Sequence, residues 1–229
     1  MYKIYNEITI ITVLYNSSEV VESFFDGFKN FKIIVVDNGK NEKILERIKN
    51  FKNIQVISKN KNLGYGRAIN FAFNNVSTNF FLVLNPDLSI DVSSIENMLN
   101  TLNQYNDCGI VAPITLPDKD FYGAFPERNL KNVDSSNAIK SRELLLNSKI
   151  EGELCVDVAK GCALLISAKH FKNVGKFNEK YFLFWEEIDI CRKFRSKKTS
   201  VIVTPKSKAQ HNQGKSSKSN IQNFFIKTF

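Results

Sequence analysis

Residues 32–39, KIIVVDNG, decide the fold class of this 229-residue chain. Their apolar part is an unbroken and largely β-branched run, which is typical of a strand that is buried on both faces of a sheet. The Asp-Asn-Gly sequence that follows is a turn signal, so the strand ends there. A strand buried on both sides needs helices above and below it, and the flanking sequence predicts them.

Strands and helices alternate around this stretch from residue 8 to residue 84. The further strands are predicted at 8–14, 54–57 and 80–84, and the helices, from apolar residues at helical spacing, at 19–28, 42–51 and 67–76. Continuously apolar strands between helices favour an α/β fold with a mostly parallel central sheet and helices on both faces. We therefore predict one such sheet.

The second half of the chain continues this pattern with one interruption. Helices are expected at 95–102 and 186–195, and strands at 109–112, 156–166 and 200–203. Residues 113–151 are more polar, with one helix expected at 138–146, and a stretch of this kind is usually a functional loop. The chain length suits one core, so we predict a single domain over 1–205 and a basic tail over 206–229.

Composition narrows the class of protein. The formal net charge of +9 favours an anionic partner, which leaves nucleic acid, a membrane surface or a phosphorylated substrate. The cysteines at 108, 155, 162 and 191 form no C-x-x-C pair, so neither zinc nor a disulfide framework is expected. The apolar stretch at 8–14 is too short for a signal peptide or a membrane span. We expect a cytoplasmic protein, soluble or peripheral at the inner face of the membrane.

Polar residues follow each predicted strand of the parallel sheet, at the edge where α/β proteins bind ligands. They are Tyr15 and Asn16, Asp37 and Asn38, residues 62–67, and Asn85 and Asp87. Several such clusters on one edge indicate a binding site more strongly than any one of them does.

The glycines at 64 and 66 do not complete a dinucleotide-binding motif. Ile69 occupies the position of its last glycine, and the segment follows the third strand rather than the first. What remains is a loop that enters a helix, where backbone N–H groups and Arg67 can face an anion. An ordinary tight turn is the alternative interpretation.

Carboxylates supply the candidate chemistry. Asp87 follows a strand and a proline, which suits a ligand of Mg²⁺ or Mn²⁺ completed by substrate phosphates, or alternatively an N-cap. Glu186, Glu187 and Asp189 open a helix directly after the aromatic run 181–185. Burial and mutual repulsion would raise a carboxyl pKa there, which suits a general base, whereas simple interaction with the helix dipole is the alternative.

The order of these motifs resembles the inverting GT-A glycosyltransferases of family 2, and most of all their bacterial rhamnosyltransferase-type branch. The motifs are V-x-Y-N at 13–16, V-D-N at 36–38, N-x-G-Y-G-x-A-x-N at 62–70, L-N-P-D at 84–87, Gly161, G-x-F-N-E-x-Y-F at 175–182, E-E-x-D at 186–189 and H-x-x-G-x-S at 211–216. This chain departs from the family pattern at Leu14, where Thr is frequent, at Asn85, where a carboxylate is frequent, and at Glu187, where Asp is usual.

The resemblance implies a Rossmann-like GT-A domain with a nucleotide-sugar half at 1–112 and an acceptor and catalytic half at 113–205. The residues expected around the base and ribose are Tyr15, Asn16, Asp37 and Asn38, and those along the nucleotide and diphosphate are Asn62, Gly64 and Gly66. Asn85-Pro86-Asp87 stands where the family often has Asp-x-Asp, so Asp87 would hold the metal. His211 would meet the metal or the diphosphate, and Glu187 would be the catalytic base, with Glu186 as its rival.

The activity implied by the resemblance is transfer of a sugar in a single in-line displacement. The expected donor is dTDP-rhamnose, with a UDP-sugar as the alternative, and the expected acceptor is a saccharide or lipid-linked saccharide of a bacterial surface polysaccharide. The basic tail ends in the apolar sequence FFIKTF at 224–229, which suits an anionic membrane surface; packing on the protein or a homodimer contact is the alternative.

A basic nucleic-acid-binding module is the competing class, because of the positive charge. Its lysines should cluster with aromatic residues on one face, whereas here they are scattered along the chain, so no nucleic-acid partner is expected. A sugar nucleotidyltransferase would need a glycine-rich loop after the first strand, where this chain has Tyr-Asn-Ser-Ser at 15–18.

Overall fold

The computed structural model describes residues 2–15, 21–39, 42–116 and 152–211. Several features predicted from the sequence lie outside the described residues, namely Asn16, the helix at 138–146 and the tail beyond position 211.

The described chain forms a nine-stranded sheet and flanking helices. The strands are β1 (Ile8–Leu14), β2 (Lys32–Asp37), β3 (Ile54–Ser58), β4 (Phe80–Leu84), β5 (Leu88–Ile90), β6 (Cys108–Leu116), β7 (Leu154–Cys155), β8 (Ala163–Ser167) and β9 (Ser200–His211). The helices are α1 (Tyr2–Glu7), α2 (Val21–Gly27), α3 (Glu42–Ile48), α4 (Tyr65–Phe73), α5 (Val92–Gln104), α6 (Ala168–Asn173) and α7 (Glu186–Ser196).

The sheet has the order β3-β2-β1-β4-β8-β6-β9-β5, with β7 paired to β9. The first four strands of the chain pair in parallel, as predicted. Beyond β4 the sheet is mixed, because β8 runs antiparallel to both β4 and β6. The α/β class and the single sheet are therefore confirmed; the continuous parallel block is β3-β2-β1-β4, and one further parallel pair, β6 with β9, lies among antiparallel neighbours.

Helices cover both faces of the sheet. Ile10 and Ile11 are adjacent in β1 and both fully buried, yet they belong to different apolar clusters. The cluster of Ile10 includes side chains of α2, α3 and α5, and the cluster of Ile11 includes side chains of α4, α6 and α7. This two-sided burial is the physical reason for the unbroken apolar strands.

The last strand extends further than the sequence pattern predicts. The apolar run stops near Val203 and a proline follows, but β9 continues through Thr204 and Ser207, which are both fully buried. The Ser207 hydroxyl donates to the carbonyl of Ser94, 2.7 Å away, so burial of this polar residue is compensated. Residues 206–211, predicted to begin the tail, therefore belong to the sheet.

Four phenylalanines support the segment that precedes α7. The ring centroid of Phe171 lies 4.8 Å from that of Phe73, 5.0 Å from that of Phe81 and 5.5 Å from that of Phe177. These rings join α4, β4 and α6 to the loop that leads to α7. The cluster therefore holds the loop before α7 against the parallel part of the sheet.

We expect Phe171→Ala to lower the free energy of unfolding by about 3–5 kcal/mol, because a fully buried ring leaves a cavity among three other rings. Urea denaturation measures this difference. Val56→Ala, at a residue that is 39% exposed, serves as the control and should stay within about 0.5 kcal/mol of the unaltered protein. A similar loss in both variants would contradict the packing described for Phe171.

Candidate active site

The buried amide of Asn38 organises the loop that precedes α4. Its Nδ2 donates to Asn62 Oδ1 at 2.8 Å and to the Gly64 carbonyl at 3.2 Å, while its Oδ1 accepts from the Leu63 N–H at 2.7 Å. Asn62 Oδ1 also accepts from the Gly64 N–H at 2.9 Å. Asn38 and Asn62, which were expected beside the nucleotide, thus shape this loop at the ends of the parallel strands.

Both glycines of this loop are closely packed, and at Gly64 the packing excludes a side chain. Gly64 has φ of +77°, and a Cβ there would lie 2.1 Å from the Phe182 carbonyl oxygen. A Cβ on Gly66 would lie 3.1 Å from Phe177 Cβ and 3.4 Å from Glu186 Cβ. The loop therefore touches the segment before α7 directly, and this contact accounts for both glycines whether or not an anion binds here.

Tyr65, which the sequence analysis did not assign to the site, lies at its centre. Its hydroxyl is 2.7 Å from Asn85 Oδ1 and 3.1 Å from the Gly161 carbonyl, and its N–H donates to the Phe182 carbonyl at 2.9 Å. Burial, above all, raises the pKa of Tyr65 well above its usual value, and nearby acidic groups add to this. Its position between two glycines was the one sequence signal available.

The acidic groups that act on Tyr65 are those expected to carry the chemistry. In order of effect on its pKa after Cys162 they are Glu186, Glu187 and Asp87. The predicted catalytic residues of α7 and the predicted metal ligand, which lies between β4 and β5, therefore all act electrostatically on one hydroxyl.

The two glutamates at the start of α7 differ in surroundings. Glu186 is only 5% exposed, and its Oε2 has no hydrogen-bond partner among the described residues. Burial and the charge of Glu187 raise the pKa of Glu186 to about 7. Burial also raises the pKa of Glu187, whose side chain lies against Gly161: a Cβ on that glycine would be 3.2 Å from Glu187 Cβ.

The sheet places the backbones of the two predicted metal ligands, Asp87 and His211, close together. Asp87 is 3% exposed and immediately precedes β5, and Leu88 of β5 pairs with His211 of β9. Within the described residues there is no group of three or more His, Cys, Asp or Glu side chains that would hold a metal ion. A buried carboxylate beside a histidine position fits Mg²⁺ or Mn²⁺, which commonly take one or two protein carboxylates and complete their shell with phosphates and water.

Arg67, a predicted site residue, pairs with the segment that precedes α7. Its guanidinium donates to the Glu179 carbonyl at 2.6 Å and lies 3.5 Å from Glu179 Oε2. Asn70, one turn along, holds the same segment through hydrogen bonds with the backbone of Phe177, at 2.9 and 3.1 Å. Both side chains thus fasten the loop before α7 to α4.

Tyr15 and Asp37 mark a second part of the same edge. Leu14 pairs with Asp37 in the β1–β2 register, so Tyr15 follows β1 beside the end of β2. The Tyr15 side chain is 36% exposed, and the Asp37 carboxylate accepts from the Gly39 N–H at 3.3 Å. This arrangement leaves an accessible aromatic ring and a carboxylate at the strand ends, as a base and ribose would require.

Comparison with known proteins gives consistent matches. A family model described as Glycosyl transferase family 2 matches residues 9–166. The low-salt glycan biosynthesis hexosyltransferase Agl10 of Haloferax volcanii is 26% identical over 217 residues, which cover 91% of this chain and 68% of Agl10. An N-acetylglucosaminyl-diphospho-decaprenol L-rhamnosyltransferase of Mycobacterium tuberculosis is 21% identical over an alignment of 243 positions. The alignment covers 90% of this chain and 76% of that protein.

Among solved structures, GalNAc-T7 with UDP, GalNAc and Mn²⁺ resembles this chain with a TM-score of 0.70 and 14% identity. The likeness covers 90% of this chain and 44% of that chain, so this protein spans less than half of the length of GalNAc-T7. At this identity the likeness shows the fold alone, and it confirms the Rossmann-like GT-A architecture expected from the sequence.

The raised pKa of Glu186 predicts a pH-dependent cost in stability. Because the folded-state pKa is about 7 and the usual value is 4.5, the contribution of Glu186 to stability is most favourable below pH 4.5 and is lost as the pH rises through 7. Glu186→Gln removes this titration. At pH 8 the free energy of unfolding of this variant should therefore exceed that of the unaltered protein by an amount on the order of 3 kcal/mol. The gain should nearly vanish by pH 4.5, as measured by urea denaturation.

Glu96→Gln, at an exposed position on α5, is the control and should show no such pH dependence. A Glu186→Gln effect of equal size at both pH values would mean that Glu186 does not titrate as described.

Proposed function

The chain belongs to glycosyl transferase family 2, and we propose that it transfers a sugar from a nucleotide-diphosphate donor to a hydroxyl group of a saccharide acceptor with inversion at the anomeric carbon. One observation carries the proposal: buried Glu186 and Asp87 and partly buried Glu187 all act electrostatically on the Tyr65 hydroxyl, at the carboxyl edge of the parallel strands. This edge is where α/β proteins bind ligands.

The proposed step is a single displacement. The acceptor oxygen forms a bond to the anomeric carbon as the bond from that carbon to the diphosphate oxygen breaks, and Glu187 takes the acceptor proton. Burial raises the pKa of Glu187, which makes its carboxylate a stronger base near neutral pH. Glu186 is the rival, but it is nearly fully buried under Gly66, whereas Glu187 is only partly buried.

A divalent cation, Mg²⁺ or Mn²⁺, is part of this proposal. Asp87 and the imidazole of His211 would hold it, together with oxygens of the diphosphate. When bound, such an ion neutralises negative charge on the departing nucleotide. Support comes from the Mn²⁺ present with GalNAc-T7 and from the pairing of His211 with Leu88, the residue after Asp87.

The proposed donor is dTDP-rhamnose, with a UDP-sugar as the second candidate. The mycobacterial relative is by name an L-rhamnosyltransferase, which supports the first, and the UDP bound to GalNAc-T7 supports the second. The proposed nucleotide contacts are those of the strand-end residues Tyr15, Asn16 and Asp37. Asn62 and Gly64 lie in the supporting loop, Asn38 holds this loop by hydrogen bonds, and Asn85 accepts a hydrogen bond from Tyr65.

The proposed acceptor is a saccharide or a lipid-linked saccharide of a surface polysaccharide. The mycobacterial relative is named for a lipid-linked acceptor, which supports this choice. Among the described residues, no helix has both the length and the apolar character needed to cross a bilayer. A cytoplasmic position with peripheral membrane contact through the basic tail, and homodimer formation, remain proposals based on sequence.

Nucleotide binding should depend on both metal and Asp87. In the presence of Mn²⁺, dTDP or UDP at 100 times its dissociation constant should stabilise the protein by about 2.7 kcal/mol and raise Tm by roughly 5–10 °C. Asp87→Asn should lose most of this increase, because the metal that bridges the diphosphate is held less well. Asp26→Asn, at an exposed position on α2, is the control. An undiminished shift in Asp87→Asn would remove Asp87 from the proposed metal site.

Catalysis should depend on Glu187. We expect Glu187→Gln to lower kcat by about 10²–10⁴-fold, the usual contribution of a general base, while the nucleotide-induced shift in Tm stays unchanged. Release of nucleoside diphosphate in the presence of acceptor measures kcat, with Glu96→Gln as the matched control. Should Glu186→Gln show the large loss and Glu187→Gln almost none, the base is Glu186.

A further inference from the structure

Four consecutive apolar side chains are exposed directly before α7. Phe182, Leu183, Phe184 and Trp185 are 40, 40, 47 and 64% exposed, and we call them the apolar run. The other large exposed hydrophobic side chains among the described residues are isolated at positions 15 and 56. Contiguous apolar surface of this kind commonly marks a binding site.

The apolar run is held in place at both ends. At its start, the Phe182 carbonyl accepts from the Tyr65 N–H at 2.9 Å and lies where a Cβ on Gly64 would be. At its end, Trp185 directly precedes Glu186 of α7. The exposed side chains therefore project from a backbone that is fixed to the centre of the site.

The backbone of the run is also strained. Phe184 and Trp185 have φ of 66° and 72°, in the left-handed region that bulky side chains rarely adopt. Such strain persists where the surrounding structure enforces it, and it is concentrated at active sites and ligand clamps. Here it turns the chain into α7 directly before Glu186 and Glu187, at two residues whose aromatic side chains are exposed.

We propose that the apolar run, with Trp185 as its main contact, is the acceptor subsite, where it binds the apolar face of the acceptor's terminal sugar ring and presents a hydroxyl to Glu187. This inference rests on the proposed function. A pyranose has a C–H face and a polar edge, so it needs an apolar surface next to hydrogen-bonding groups, and the run beside Glu186 and Glu187 offers both.

Local charge favours a neutral sugar ring over an anionic membrane surface at this position. The four residues of the run carry no charge. Glu179 and Lys180 precede it and Glu186 and Glu187 follow it, so carboxylates outnumber cations in its immediate flanks. An anionic bilayer would be repelled here, whereas an uncharged sugar ring would not.

Trp185 is the only tryptophan of the chain, so intrinsic fluorescence reports on this position alone. The probe is a short-chain N-acetylglucosaminyl-diphospho-prenol, added in the presence of dTDP and Mn²⁺. We expect it to shift the emission and to protect Trp185 from acrylamide quenching. The same protection by the prenyl diphosphate without the sugar, or by phosphatidylglycerol vesicles, would overturn the proposal in favour of a lipid-binding surface.

Kinetics provide the second arm of the test. Trp185→Ala should lower kcat/KM for the acceptor probe by about tenfold or more, through KM, while hydrolysis of the donor without acceptor stays unchanged. Trp185→Phe should recover most of the loss, and Val56→Ala, another exposed apolar position, should have no effect. An equal loss of donor hydrolysis in Trp185→Ala would overturn the assignment to the acceptor. If the unaltered protein neither binds nor hydrolyses any donor, the proposed function itself fails.

Discussion

The candidate site depends on the close contact between the loop at 62–66 and the segment at 177–187. At Gly64 the two backbones are too close for a Cβ, at Gly66 the side chains of Phe177 and Glu186 pack tightly against the glycine, and the Tyr65 N–H donates across the contact to Phe182. The amides of Asn38 and Asn70 fix the two sides of this contact. Through this contact, residues from distant parts of the sequence share one edge of the sheet, and the carboxylates of α7 lie near the end of β4.

Burial of several acidic groups at this contact links stability to chemistry. Removing a carboxylate from water disfavours its charged form, and this raises the pKa of both Glu186 and Glu187. The same effect that makes these side chains costly to bury makes them better proton acceptors near neutral pH. A substrate proton or a bound cation at Asp87 would relieve part of this cost, so the site is suited to ligands that bring either one.

The sequence predicted the helices on both faces and the parallel strands, because unbroken apolar runs between helical patterns are compatible with few other folds. It did not predict the antiparallel direction of β8, since an apolar run carries no information on strand direction. The glycine spacing suggested an anion site, whereas the structure shows close packing at both positions, with backbone that excludes a side chain at Gly64. The contacts of Tyr65 with Gly161 and of Arg67 with Glu179 join residues far apart in the chain, so no local pattern indicated these contacts.

We propose that this chain transfers a sugar from a nucleotide-diphosphate donor with inversion. The most direct measurement follows the anomeric proton by NMR while the protein acts on dTDP-rhamnose or a UDP-sugar with Mn²⁺ and a saccharide acceptor. We expect loss of the donor signal, release of the nucleoside diphosphate and a new glycosidic signal of opposite anomeric configuration. A product that retains the donor configuration, or no consumption of any nucleotide sugar, would contradict it.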